Sequence, residues 1–258
     1  MRRILVLALL AAPLAATAAD HCKYQAPRSL KADLTGVRGV QVEVNSFDLH
    51  LTGSDSASDL QANGQACASD QSQLDHLQVT SRREGDQLIV TLGSGSGWSS
   101  FSLFGSSYSD LKVNIQLPAS MPVTVEVGSG DADVGGLRQL ASHAGSGDLH
   151  VHGISGKFST SVGSGDVEAH DIGSLELSSA GSGDFKGEDI RGDAHVGSVG
   201  SGDVALRRVG GSVHVGTLGS GDLTVHDVQG DLSVGAKGSG DVDYGGVKGK
   251  VDVPRDDD

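Results

Sequence analysis

Basic side chains are in short supply. The 258-residue chain has 19 Lys and Arg against 33 Asp and Glu, a formal charge of −14. Such a surface repels phosphate backbones and anionic lipid, which need Lys and Arg patches, so nucleic acid is excluded as a partner. Cysteine is almost absent. Cys22 and Cys67 stand alone, with no CxxC spacing to suit a metal or a redox pair. The longest apolar run, Ile4 to Ala12, is too short to cross a bilayer, so no membrane span is expected. No Ser-His-Asp set, phosphate loop or paired-carboxylate cleft rises above background where Ser, Asp and His are this frequent. No catalytic residue, cofactor or metal is therefore assigned.

Glycine, at 39 residues, is plentiful, and much of it recurs to a rule. The tetrapeptide Gly-Ser-Gly-Asp begins at Gly128, Gly145, Gly163, Gly181, Gly200, Gly219 and Gly238, at steps of 17 to 19 residues. A fixed period of this length marks one structural turn per repeat, too short for helix pairs or propeller blades. Counting the first Gly as place one, place ten is aliphatic throughout: Leu137, Ile154, Ile172, Ile190, Val209, Val228 and Val247. Place five holds Ala132, Leu149, Val167, Phe185, Val204, Leu223 and Val242, and place seven is mostly Val, Leu or Ala. A second alternating run follows in Ala194 and Val196, Val213 and Val215, Leu232 and Val234, and Val251 and Val253. Residues two apart on a strand share a face, so each coil reads as strand, corner, strand and Gly-Ser-Gly-Asp corner. The fold class is all-β, a right-handed parallel β-helix (β-solenoid) of about seven to nine coils with an irregular N-terminal cap.

The two corner glycines are expected to supply positive φ, and Ser and Asp to bond the turn's own amides. Stacking at about 4.8 Å then puts Asp131, Asp148, Asp166, Asp184, Asp203, Asp222 and Asp241 in one column. Neighbouring carboxylates repel unless they accept amide hydrogen bonds, face water or share cations. A hydrogen-bonded turn column is the preferred reading and a calcium β-roll the alternative. Aspartate runs throughout only one corner, whereas calcium β-rolls use both.

Met1 to Ala19 reads as a secretory signal, with Arg2 and Arg3, an apolar stretch and the small-residue pattern Ala16-Thr17-Ala18. Its removal takes away two Arg and no acid. The protein is expected to be exported without a lipid anchor, to the periplasm or beyond. In an oxidising compartment Cys22 and Cys67 are expected to form a disulfide. Residues 20–127 read as a strand-rich cap merging into the solenoid, 128–253 as the seven-repeat solenoid, and 254–258 as an acidic tail. Within the cap, Val40 to Gly53 looks like a degenerate coil with Asn45-Ser46-Phe47-Asp48 in the corner slot, and Ser54 to Asp75 like a polar excursion.

The alternating Val40, Val42 and Val44 with Ser46 and Asp48, the strand ending Leu117-Pro118, and the repeated Gly-Ser-Gly-Asp-apolar-x-apolar unit carry a resemblance. From about Val37 to Val253 the chain resembles the bacterial putative-adhesin family, head-GIN-like β-strand repeat domains of unknown function. The resemblance implies a parallel β-helix exposed in the cell envelope and supplies no catalytic residues.

Two further groups are candidates for contact. Trp98, Phe101, Phe104 and Tyr108 lie within eleven positions, diluted by Gly and Ser, in a chain with one Trp, three Tyr and five Phe. Such a loop suits contact with a partner, or else plugs a solenoid end. Place eight carries His152, His170, Glu188, Arg207 and His226, with His150 two before His152. These read as an exposed polar ladder, a zinc set being the lesser alternative because Arg207 shares the column. The functional expectation is a non-enzymatic binding or scaffold protein of the envelope whose partner is an envelope protein or polysaccharide. The alternatives are a polysaccharide-active β-helix enzyme and a calcium-dependent β-roll.

Overall fold

The computed structural model describes residues 22–93 and 108–254. The segment 1–19, expected from its sequence to be a secretory signal, and Trp98, Phe101 and Phe104 lie outside the described residues. Strands β1 (Tyr24–Ala32), β2 (Gly39–Asn45), β3 (Asp48–Ser54) and β4 (Leu60–Ala68) precede the short helix α1 (Gln71–His76). Then come β5 (Val79–Glu84), β6 (Gln87–Leu92), β7 (Ser109–Pro118), β8 (Val123–Val127), β9 (Ala132–Gly135) and β10 (Leu140–Ala144). The regular coils follow as β11 (Leu149–Val162), β12 (Val167–Ala180), β13 (Phe185–Ile190), β14 (Ala194–Val199), β15 (Val204–Val209) and β16 (Val213–Leu218). Strands β17 (Leu223–Val228), β18 (Leu232–Lys237), β19 (Val242–Gly245) and β20 (Val251–Asp252) complete the stack.

The result is a β-solenoid of about seven turns. Two parallel sheets face one another across the core. The first stacks β3, β9, the leading half of β11, the leading half of β12, β13, β15, β17 and β19. The second stacks β6, β2, β8, β10, the trailing halves of β11 and β12, β14, β16, β18 and β20. In-register pairing puts like on like, so Ile154, Ile172, Ile190, Val209 and Val228 form one fully buried column. Phe185 also fits this wall because Gly187, two places on, leaves room; a Cβ there would touch the Phe185 ring and Leu206.

Simple alternation would turn places five, seven and nine inward, yet burial falls at five, seven and ten. The parity breaks at place nine, which has positive φ in every regular coil: Gly136, Gly153, Asp171, Asp189, Arg208, Asp227 and Gly246, between 54 and 71°. One left-handed residue acts as a bulge, bending the strand and returning the next side chain to the core.

The corner glycines are not in this conformation, contrary to the expectation from sequence. None of the seven third-place glycines has positive φ. They are needed because coils approach too closely for a Cβ, which at Gly165 would lie 2.0 Å from the Gly147 carbonyl oxygen and at Gly240 1.9 Å from that of Gly221.

The first coil is β2–β3, its corner formed by Asn45, Ser46 and Phe47, and β8–β9 stacks on one side of it. On the other side lies β6–β7, which comes later in the chain: Val42 pairs with Val90 and Leu51 with Ile115. Strand β4 then runs antiparallel to β7, and β1 antiparallel to β4. The polar stretch 54–75 thus contains a strand whose inner face is Leu60, Ala62, Ala66 and Ala68, all buried. Helix α1 begins where the Asp70 carboxylate accepts from the Gln73 amide, at 2.9 Å. Cys22 and Cys67 form a disulfide, Cα atoms 5.4 Å apart, fastening the start of β1 to β4.

Candidate binding surfaces

The aspartates from Asp131 to Asp241 do form one column, with partners other than those the turn chemistry suggests. From Asp131 to Asp222 each Oδ1 accepts the backbone N–H of the aspartate one coil later, not an amide of its own turn. The distances run from 3.4 Å for Asp148 onto Asp131 to 2.8–2.9 Å for Asp203, Asp222 and Asp241 onto their predecessors. The second corner repeats the device: Ser212 N–H donates to Asp193, Asp231 N–H to the Ser212 hydroxyl and Lys250 N–H to Asp231. These side chains stitch coil to coil and satisfy amides that the corners would otherwise leave unpaired.

The outer face of the first sheet carries His50, His150, His152, His170 and His226, while His143, His195 and His214 lie on the second sheet. Places six and eight point outward here, so His150, Glu168 and Lys186 form one row and His152, His170, Glu188, Arg207 and His226 the next. Each imidazole on this face finds a carboxylate on a neighbouring coil. His50 and His152 flank Asp133 at 3.7 and 3.3 Å, His150 lies 3.5 Å from Glu168, His170 3.1 Å from Asp189, and His226 3.5 Å from Asp243. His152 leans back over Gly135, where a Cβ would strike its ring, and His170 leans toward the following coil. The two diverge, leaving a shallow depression lined also by His150, Glu168, Lys186 and Glu188. Among the described residues no three His, Cys, Asp or Glu side chains are grouped to hold a metal. Arg208 bonds Asp189 at 2.6 Å and Glu188 at 2.7 Å. Its hydrogen bonds hold the Asp189 carboxyl below the usual range, helped by its charge and that of His170, and they raise the guanidinium pKa in turn. These groups are solvent-exposed, so each pair stabilises the stack only modestly.

The aromatic segment occupies a distinctive place in the topology. Strand β6 pairs with β2 and β7 with β3, so in chain order the connection between β6 and β7 corresponds to the place where every regular coil has Gly-Ser-Gly-Asp; residues 94–107 of that connection lie outside the described residues. Gly93 leaves β6 with φ of +81° directly against the Phe47 ring. Tyr108 re-enters at β7, its hydroxyl accepting the Lys23 amide at 2.8 Å and its carbonyl the Ser69 amide at 3.0 Å. Sequence reasoning missed both the place-nine bend and this rearranged stacking; positive φ at Asp, Asp, Arg and Asp leaves no residue signature to read.

A family profile described as Toastrack DUF4097 matches residues 37–244. No curated protein matches the chain significantly. Among solved structures, a putative adhesin from Bacteroides fragilis is 17% identical, covers 90% of this chain and 98% of its own, and superposes with a TM-score of 0.51. A putative adhesin from Parabacteroides merdae is 13% identical at a TM-score of 0.51, covering 90% of this chain and 97% of its own. A putative lipid binding protein from Parabacteroides distasonis is 19% identical at a TM-score of 0.51, covering 90% and 94%. At these identities the likeness is one of fold. Among the described residues, no helix is long and apolar enough to cross a membrane.

Proposed function

Because the chain belongs to the Toastrack DUF4097 family, we propose that it is an exported, non-enzymatic β-solenoid of the bacterial envelope. It binds an envelope protein or polysaccharide in the manner of an adhesin or scaffold. Solved proteins of this fold include several described as putative adhesins, which supports the reading. The observation that carries it is the uniformity of the described coils, set against an aromatic-rich connection in the sequence between β6 and β7. Every Gly-Ser-Gly-Asp corner is a tight turn clamped to its neighbours by backbone and aspartate hydrogen bonds, with no inserted loop to wall a catalytic cleft. The connection between β6 and β7 is longer in sequence than Gly-Ser-Gly-Asp and contains Trp98, Phe101 and Phe104. The sheet faces offer paired, solvated charges and small side chains, which seldom anchor a partner, whereas binding energy concentrates in a few aromatic or Arg residues.

The test is capture from envelope extract divided into protein and polysaccharide fractions. The wild-type chain should retain a component that the Trp98→Ser, Phe101→Ser variant loses, both proteins melting alike. A drop in melting temperature would instead assign the segment to plugging the stack. If neither capture nor melting changes, the segment is not the contact and this reading fails.

A further inference from the structure

The two ends of the solenoid are finished differently. Beyond β2–β3 the first end carries the β6–β7 coil, then β4, β1 and α1. At the other end, among the described residues, β19 pairs only with β17 and β20 only with β18. The last coil nevertheless keeps the core register. Val242, Val247, Val251 and Val253 pack against the core but remain partly open to solvent. Tyr244, at the inward place seven, is the one large hydrophobic side chain exposed among the described residues, at 46%. A depression bounded by Tyr244, Val242, Val251 and Val253 opens at this end.

The backbone is unfinished there too. In earlier coils the place-five N–H donates to the corner aspartate carbonyl of the next coil, from Ala132 onto Asp148 through to Leu223 onto Asp241. In a parallel ladder a residue turns its N–H and C=O toward the same neighbour, so Val242 and Tyr244 present both groups at the open edge. An aliphatic cross-section bordered by such an edge invites another strand.

We propose that this end docks on the same end of a second copy, forming a two-fold dimer in which β19 pairs antiparallel with the partner's β19. A two-fold axis perpendicular to the sheets reverses strand direction while keeping each sheet in line with its counterpart, and it closes the assembly. Head-to-tail stacking would extend without limit and would meet β1, where Pro27 has no N–H to donate. Two registers satisfy the edge groups. Centring on Asp243 sets the two Asp243 carboxylates opposite each other, which is repulsive. Centring on Tyr244 sets each Tyr244 against its copy and Asp243 against Gly245, so the tyrosines cover both open cores. Charge permits this approach despite the overall −14. The rim mixes Lys237, Lys248 and Lys250 with Asp241, Asp243 and Asp252, so neither sign dominates the approaching surfaces. The coil cross-section is small for a stable interface, so the dimer is a weak one.

Sedimentation of the full chain between about 1 and about 100 μM should show a concentration-dependent monomer–dimer equilibrium. Tyr244→Ser should weaken association by about tenfold or more, with an unchanged melting curve and circular dichroism. Tyr244→Cys should cross-link into a covalent dimer on mild oxidation. A wild-type monomer throughout this range overturns the proposal. So does a dimer indifferent to Tyr244→Ser, or one in which Tyr244→Cys fails to cross-link.

Discussion

At the scale of single residues, the corners show that a glycine can be required by a neighbour rather than by its own torsions. Gly165 has ordinary φ, but a methyl group there would meet the Gly147 carbonyl oxygen at 2.0 Å, and backbone cannot move aside. Gly165→Ala should therefore cost about 3 kcal/mol or more in urea unfolding. Gly85→Ala, in the β5–β6 hairpin with φ of +63° and open space around the new methyl, should cost only about 1–2 kcal/mol. Equal losses would show that close approach is not what selects glycine at the corners. Asp189 offers a test in pH. Its folded pKa is depressed by Arg208, so its contribution is present above the ordinary carboxylate range and lost as pH falls through the folded value. Asp189→Asn should melt below wild type at neutral pH, and the two curves should converge only as pH falls below the folded value, which lies beneath the unfolded one. A gap independent of pH would mean that the carboxylate's charge is not what stabilises.

At the scale of the strand, the buried positions are set by the place-nine bend as much as by alternation. Place ten was legible because seven aliphatic residues occupy it in sequence, and the structure buries six of them almost completely, Val247 on the last coil being partly open. Ile172, at 0% exposure, lies between Ile154 and Ile190 on the adjacent coils. Ile172→Asp would bury an unpaired carboxyl there, and a loss of about 4 kcal/mol or more is expected, enough to unfold part of the stack. A variant that melts like wild type would show that the register is wrong. Strand β4 was not legible. Its inner face is mostly alanine, and Gln, Asn and Gly between them hide the alternation, so that only pairing to β7 and β1 reveals it.

Across the whole molecule, stability comes from repetition closed at one end by the cap. The Cys22–Cys67 bridge spans 45 residues and holds β1 to β4. Thiol titration of the unreduced, denatured protein should find no free thiol, and reduction should cost roughly 2–4 kcal/mol, felt mainly in the cap. Two titratable thiols would rule the bridge out. Calcium should be dispensable, because each corner carboxylate from Asp131 to Asp222 already accepts an amide of the next coil. Circular dichroism in chelator should keep its β signal. Collapse restored by calcium would favour a cation-dependent roll instead.

The repeat, the strands within it and the inward columns could all be read from sequence, because alternation and corner residues are local and each coil copies the last. The candidate contact residues were legible only as composition, an aromatic cluster diluted by Gly and Ser; that their segment connects a strand of one sheet to a strand of the other follows from the pairing of β6 and β7. Three matters belonged to tertiary structure. The apolar runs Val40–Val44 and Leu88–Leu92 are alike in pattern, so nothing local says that the later one stacks outside the earlier; long-range pairing decides it. The corner aspartates could have bonded their own turns, but coil stacking brings the next coil's amide within reach of each carboxylate. Place nine turns left-handed whether it holds Gly, Asp or Arg, because the core demands place ten inside and the chain has one residue too many to arrive there by alternation.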